Sequence, residues 1–225
     1  MLKMEHFFKN IQAAKVISPE IDYSEYMPLD LSVSNKDLAN HVLETAQDYE
    51  VFIQNKLDMT HQKIMFGGYI ENRNLYKRST VFKNFNTEER NIHIGLDLWI
   101  NEQAPIYAAL DGKIHSFQNN TALGDYGPTI ILEHQVEDFK FHTLYGHLSE
   151  SSLIGKNVGD LIQKGQQIAT LGLPPINGDY APHLHFQIII DMEGKFGDYP
   201  GVCSEKMLSF YRENCPDPNW LLNIK

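Results

Sequence analysis

Cysteine is scarce in this sequence, long apolar runs are missing, and acidic residues outnumber basic ones. The two cysteines, Cys203 and Cys215, are too few for a disulfide framework or a cysteine-based zinc knuckle, so we expect unpaired thiols. No stretch is apolar for long enough to span a bilayer, and we therefore expect no transmembrane segment. Lys and Arg total 19 against 29 Asp and Glu, and the formal net charge of −10 argues against nucleic acid as a partner.

The first ten residues also lack the sustained apolar region of a secretory signal. A cytoplasmic location is therefore the default expectation. What the chain does contain is 42% hydrophobic and 11% aromatic residues, which is the composition of a globular protein. Its 225 residues suffice for one domain with an extension, and nothing in the pattern indicates the oligomeric state.

Three segments differ in character along the chain. Residues 1–65 indicate a partly helical N-terminal extension, with an amphipathic helix from an N-cap at Ser34 to about Leu57. Residues 66–200 hold short β-like runs between Gly and Asn turns, which predicts a β-rich domain. Residues 201–225 indicate a C-terminal tail that packs on the domain and contains a short helix over 205–212.

The β-like runs lie at residues 106–109, 112–117, 129–134 and 139–145, with a hairpin loop predicted at 135–138. A further short strand pair is predicted within 158–166. Because no helix interrupts these runs, we expect antiparallel sheets. The predicted fold class is mainly β, that is, a β-rich α+β domain.

Residues 181–190 contain the pattern on which the functional prediction depends. Strict alternation places His183, His185 and Gln187 on one face of a strand, while three apolar side chains, Leu184, Phe186 and Ile188, point to the other. Two imidazoles on the same strand face indicate a site.

Partners for these imidazoles lie upstream at His93 and Asp97. Catalytic zinc takes three protein ligands and leaves one position open, and His93, Asp97 and His185 satisfy that count, with His183 as the other imidazole on the strand. On a straight strand the two upstream residues would be about 13 Å apart, too far for one ion. A bend is therefore required, and Gly95 between them permits it.

In combination, these motifs resemble the lysostaphin-type (LytM-like) zinc metallopeptidases, many of which cleave peptidoglycan cross-links. The resemblance covers residues 91 to about 190. Its landmarks follow in family order at residues 93–97, 105–114, 126–134, 145–148, 158–166 and 182–186.

The resemblance implies roles for five residues. His93, Asp97 and His185 take the positions of the ligands of one zinc ion, and His147 and His183 take those of two catalytic histidines. The implied fold is an antiparallel two-sheet lysostaphin-type (duplicated hybrid motif) domain with an open groove. The implied function is a zinc-dependent metalloendopeptidase acting on peptidoglycan-derived or Gly-rich peptides, for which the cell envelope or the exterior would be the usual location.

Two departures from the family pattern keep other functions open. Residues 177–181 replace a loop rich in Gly, Ser and Thr, and Gln187 replaces a Glu, so the groove wall is altered. A non-catalytic binding or regulatory module that keeps the fold is therefore the first alternative. The weaker alternative is a histidine phosphocarrier-like domain, suggested by residues 158–166.

Some further residues receive structural expectations. We expect His134 to be structural or groove-lining and His115 and His142 to be packing or surface residues. Because they precede the first ligand, residues 67–78 are predicted to border the groove.

Overall fold

Within the described residues, 2–75, 88–100 and 103–225, a computed structural model shows one large sheet and two small ones. The strands are β1 (Tyr26–Pro28), β2 (Ile64–Gly67), β3 (Glu71–Asn72), β4 (Ile92–His93), β5 (Leu96–Trp99), β6 (Pro105–Tyr107), β7 (Gly112–Asn120), β8 (Gly127–Val136), β9 (Phe139–Gly146), β10 (Leu161–Ile162), β11 (Gln167–Thr170), β12 (His183–Ile189) and β13 (Val202–Cys203). The eight-stranded sheet has the order β1-β2-β5-β12-β9-β8-β7-β10, beside a three-stranded sheet β13-β4-β3 and the pair β11-β6.

The predicted β-rich, antiparallel fold class is confirmed. Among the described strands, every pair is antiparallel except β1 with β2, and three sheets are present where two were expected. The β8–β9 hairpin pairs as far as Val136 opposite Phe139, so its loop is two residues shorter than predicted. The predicted strand pair within 158–166 is wrong, since β10 pairs with β7 at the edge of the large sheet.

The central strand β12 has the alternation that the sequence predicts. Leu184, Phe186 and Ile188 are fully buried in the main apolar core, while the two histidines and Gln187 occupy the other face. Because side chains alternate with a period of two, a register shift of one residue would move the histidines into that core. Burial of one face therefore fixes the position of the other.

The helices are α1 (Leu2–Lys9), α2 (Ala46–Thr60), α3 (Leu208–Asn214) and α4 (Asn219–Leu222). The prediction that the long helix begins at Ser34 is wrong. It begins at Ala46, because Thr45 and Asp48 form a reciprocal capping box there, whereas residues 36–40 form a single 3-10 turn. Among the described helices, none is both long and apolar enough to cross a lipid bilayer.

Apolar residues of the N-terminal segment pack into the same hydrophobic cores as residues of the β domain. Phe8 and Tyr26 belong to the main core, and Phe52 of α2 packs in a second cluster with Trp99 of β5. The strands β1 and β2 also extend the large sheet. The division at residues 65 and 200 stays a prediction.

Candidate metal centre and groove

His93 and Asp97 lie four residues apart but belong to different sheets. His93 ends β4 in the three-stranded sheet, and Asp97 lies in β5 of the large sheet, so the chain bends between them as predicted. Gly95 at the bend faces the imidazole of His185, and a β-carbon there would lie 2.3 Å from His185 Cε1. The glycine is thus needed for close approach as well as for the bend.

The three predicted ligands converge on one point. His185 of β12 lies directly opposite Asp97 of β5 in the antiparallel register. His93 Nε2 is 2.9 Å from His185 Nδ1, Asp97 Oδ1 is 3.1 Å from that same Nδ1, and His93 Nε2 is 3.3 Å from Asp97 Oδ1. All three side chains are buried.

The hydrogen bonds of His93 and His185 assign their tautomers. His93 Nδ1 lies 2.8 Å from the carbonyl oxygen of Gly68 and must donate to it, which leaves the Nε2 lone pair facing the cluster. His185 Nε2 lies 2.9 Å from Gln187 Oε1. That amide is oriented by its Nε2, which donates to the Pro200 carbonyl at 3.1 Å, so Oε1 is the acceptor and His185 Nδ1 keeps its lone pair.

Three acceptor atoms therefore point at one another at 2.9–3.3 Å. Ligand atoms bound tetrahedrally at 2.0–2.1 Å from zinc are about 3.3–3.4 Å apart. The separation of His93 from Asp97 equals this value, and the two separations that involve His185 are a few tenths of an ångström shorter. The donor types are those of a zinc ion with one position left open. The residues present thus suit the metal that the family resemblance implies.

Charge around the cluster is governed by Asp97 and Arg73. Burial opposes ionisation of the Asp97 carboxyl, but its interactions with His93, which is protonated only at low pH, and with the permanent charge of Arg73 outweigh it and hold the pKa well below its usual range. Burial lowers the pKa of His93 to about 4, so its imidazole is neutral at pH 7. Neutral imidazole and ionised carboxylate are the forms that bind metal.

His147 and His183 lie next to the cluster on the same side of the sheet. Their ring centroids are 4.3 Å apart, and His183 Nε2 is 3.8 Å from Asp97 Oδ1. His147 Nδ1 donates to the Asn177 carbonyl and His183 Nδ1 to the Ala181 carbonyl, each at 2.7 Å. Both rings therefore keep an Nε2 lone pair that can accept a proton, and burial lowers both pKa values, which keeps the rings neutral.

A groove opens above these five residues. Leu31 and Tyr49 contribute to its lining from the N-terminal segment, and Asp125, Tyr126 and Asp198 line it as well. The prediction that residues 67–78 border the groove holds for Arg73 and Leu75, while residues 76–78 lie outside the described part of the chain. From the variable loop 174–181, Tyr180 and Ala181 face the groove.

Sequence reasoning missed the roles of Arg73, Tyr126 and Gln187. Arg73 Nη1 donates to Asp97 Oδ2 at 2.6 Å, and the Tyr126 hydroxyl lies 3.3 Å from His185 Nε2. Gln187 shares the strand face of His185, which is a signal in the sequence. Arg73 lies within the predicted groove border at 67–78 and Tyr126 within the landmark 126–134, but no pattern assigned either side chain a contact with the site.

The remaining predicted structural residues agree with expectation. His134 is fully buried between the Asp111 carbonyl and the Thr143 hydroxyl, and is structural. His115 and His142 pack edge to face at 4.9 Å between ring centroids. Cys203 and Cys215 are both buried thiols without a disulfide bond.

The geometry defines a cluster that could hold a metal ion, with two further histidines beside it, on a β-rich scaffold. Residues 91–195, just under half of the chain, match the model of peptidase family M23. This segment holds all five predicted site residues, and its match agrees with the predicted resemblance to the lysostaphin-type (LytM-like) proteins.

Solved structures with similarity to the chain include three with low TM-scores. The catalytic domain of the antimicrobial peptidase lysostaphin from Staphylococcus simulans is 26% identical over 54% of this chain and 80% of its own, with a TM-score of 0.37. A catalytic-domain mutant of the prophage-encoded M23 protein EnpA from Enterococcus faecalis is 21% identical over 53% and 87%, with a TM-score of 0.37. A complex of SpoIIIAH and SpoIIQ matches at 18% identity over 75% and 98%, with a TM-score of 0.40. No curated protein sequence matches the chain.

Proposed function

We propose that this protein is a zinc-dependent metalloendopeptidase that binds one zinc ion through His93, Asp97 and His185. The observation that carries the proposal is the convergence of three acceptor atoms at 2.9–3.3 Å while the other nitrogen of each histidine donates elsewhere. Lone pairs so arranged repel one another unless a cation lies between them. Zinc held there would polarise the carbonyl of the scissile peptide bond and activate water for attack on it.

The chain's own residues supply the proton transfers. The unprotonated Nε2 atoms of His147 and His183 are proposed to take a proton from the attacking water and to return it to the departing amine. Once protonated, either ring can also donate a hydrogen bond to the oxygen on which negative charge develops. Both rings are fixed by carbonyl acceptors through Nδ1, so their Nε2 atoms are already oriented for this chemistry.

Peptides of the peptidoglycan type, or Gly-rich peptides, are the proposed substrates. Support comes from the M23 family match over residues 91–195 and from a groove that passes over the five residues. The first alternative, a binding module without turnover, shares the same groove. The phosphocarrier alternative is disfavoured, because all four histidines of the site are buried and three of them lie 3.1–3.8 Å from Asp97 Oδ1.

Metal content together with hydrolysis tests the proposal. We expect about one equivalent of zinc in the purified protein, and cleavage of an oligoglycine or muropeptide panel that chelation of zinc abolishes. Zinc binding with no cleavage of any member would favour the binding module. No zinc under conditions that preserve metal would refute both the ligand set and the activity.

The proposed activity does not decide the location. The cytoplasmic prediction gains no support from the fold or from the family match and stays a prediction.

A further inference from the structure

The buried Arg73 donates a hydrogen bond to Oδ2 of Asp97, the carboxylate oxygen that faces away from the His93 and His185 ring nitrogens. We propose that Arg73 is a positioning residue that restricts Asp97 to one metal-binding oxygen; this inference rests on the proposed zinc site. Arg73 Nη1 donates to Asp97 Oδ2 at 2.6 Å, and the two side chains are only 2% and 1% exposed. In such a buried setting a charged hydrogen bond is strong and directional.

The two oxygens of Asp97 have separate partners. Oδ1 lies 3.1 Å from His185 Nδ1 and 3.3 Å from His93 Nε2, whereas Oδ2 is bonded to Arg73. A carboxylate without such a partner can rotate and bind a metal through both oxygens. With Oδ2 engaged, only Oδ1 is available, and the fourth position of a tetrahedral ion stays open for water or substrate.

Arg73 itself is held on several sides. Its Nε donates to Glu71 Oε2, its backbone N–H donates to the Asn91 carbonyl at 2.8 Å, and its guanidinium lies 5.7 Å from the centroid of the Trp99 ring. A planar guanidinium can serve two carboxylates at once, which the point charge of a lysine cannot do with the same geometry. The contacts therefore favour a specific requirement for arginine.

Glu71 extends this connection into the N-terminal segment. Its Oε1 accepts from the backbone N–H of Leu31 at 3.0 Å while its Oε2 accepts from Arg73. Leu31 is buried in the cluster that contains Trp99 and Phe52 of α2. The orientation of Asp97 thus depends on residues that precede the M23 segment.

Zinc affinity and the spectrum of the cobalt-substituted protein test the inference. Arg73→Gln should weaken zinc binding about 10- to 100-fold in competition with a chelator, because loss of an outer partner of a ligand has an effect of this size. Its Co²⁺ form should absorb more weakly in the visible range, since Oδ2 is then able to bind and raise the coordination number. Arg73→Lys should restore little of either property. The unfolding temperature of each variant is measured in chelator to confirm folding.

Two further variants complete the design. Glu71→Gln keeps Arg73 but weakens the ion pair that orients its guanidinium, so we expect a smaller loss of zinc affinity and a smaller change in the cobalt spectrum. This variant also tests the inference if Arg73→Gln does not fold. Lys113→Gln is the matched control, because Lys113 pairs with Glu133 at 2.9 Å and is half exposed on β7. We expect wild-type zinc affinity and cobalt spectrum for this control.

The outcomes separate the two hypotheses. Zinc binding by the wild type that is unchanged in Arg73→Gln would overturn the positioning role and leave the proposed function standing. A weaker affinity with an unaltered cobalt spectrum, or an equal loss in Lys113→Gln, would also overturn it. Failure of the wild type to bind zinc would overturn both.

Discussion

His93 Nε2 and His185 Nδ1, 92 positions apart in the chain, lie 2.9 Å from each other with both lone pairs directed inward. Each ring uses its other nitrogen as a donor, to the Gly68 carbonyl and to Gln187 Oε1. Asp97 Oδ1 completes a triangle of acceptors. The fold thus brings together three groups that repel one another without a cation, which makes metal binding and stability interdependent.

Removal of zinc is therefore expected to destabilise the protein. A ligand present at 100 times its Kd contributes about 2.7 kcal/mol to stability, so chelation should lower the midpoint of thermal unfolding by several degrees. His185→Ala should contain almost no zinc and show no such shift, as measured by elemental analysis and calorimetry. An identical unfolding midpoint of the wild type with and without chelator would contradict the prediction.

Substitution of His147 or His183 should separate catalysis from metal binding. Neither side chain belongs to the acceptor triangle, so His147→Gln and His183→Gln should keep about one equivalent of zinc. Loss of a proton acceptor should lower kcat about 10²- to 10⁴-fold, measured with a fluorogenic peptide. Wild-type rates in both variants would remove the two histidines from the mechanism.

Gln187 is expected to orient His185. Gln187→Leu removes the nearer acceptor of the His185 Nε2 proton, at 2.9 Å, and leaves only the Tyr126 hydroxyl at 3.3 Å to hold the ring. We expect zinc affinity to fall about 10- to 100-fold in chelator competition. Gln135→Leu, the same change at an exposed hairpin position, should leave zinc affinity unaltered. Equal affinities in the two variants would show that the His185 orientation does not depend on Gln187.

Gly95→Ala should damage the metal site more than the fold. A β-carbon at this position would lie 2.3 Å from Cε1 and 2.5 Å from Nε2 of His185, so the imidazole must move. We expect a strong loss of bound zinc with near-native circular dichroism. Gly155→Ala is the control, because a β-carbon there meets no atom within 4 Å, although its φ of +74° adds strain of about 1 kcal/mol. Normal zinc content in Gly95→Ala would contradict the crowding argument.

The stability of the metal-free protein should depend on pH through His134. Burial lowers the pKa of this imidazole from 6.5 to about 4. As pH falls below 6.5, the unfolded chain takes up the proton on His134 before the folded protein does. The contribution of His134 to the free energy of unfolding is therefore fully present above pH 6.5 and falls by about 3 kcal/mol as pH approaches 4. Urea denaturation in chelator measures the decline. His134→Asn should make it shallower, and an unchanged slope would exclude His134 as its source.

Local patterns in the sequence predicted much of the site, because its chemistry depends on spacing within single strands. The alternation along β12 placed His183, His185 and Gln187 on one face, and the spacing of His93 and Asp97 required the bend at Gly95. The start of α2 was predicted too early, because helical spacing extends back to Leu38 but the capping box at Thr45 and Asp48 decides where the helix begins. The roles proposed for the five site residues stay predictions until metal and turnover are measured.

The amino-acid sequence by itself determined the β-rich class and the two-sided strand β12, because side chains alternate with a period of two along a strand. It also offered His93 and Asp97 as partners for the two histidines of that strand, whereas His147 and the roles of all five residues are what the family resemblance implies. The tertiary structure alone decided that His185 lies opposite Asp97, that Arg73 reaches Oδ2 of that carboxylate, and that Leu31 and Tyr49 line the groove. Such contacts join segments that are distant in the chain. Pairing of β5 with β12 sets His185 opposite Asp97, and pairing of β3 with β4 brings in Arg73, which directly follows β3.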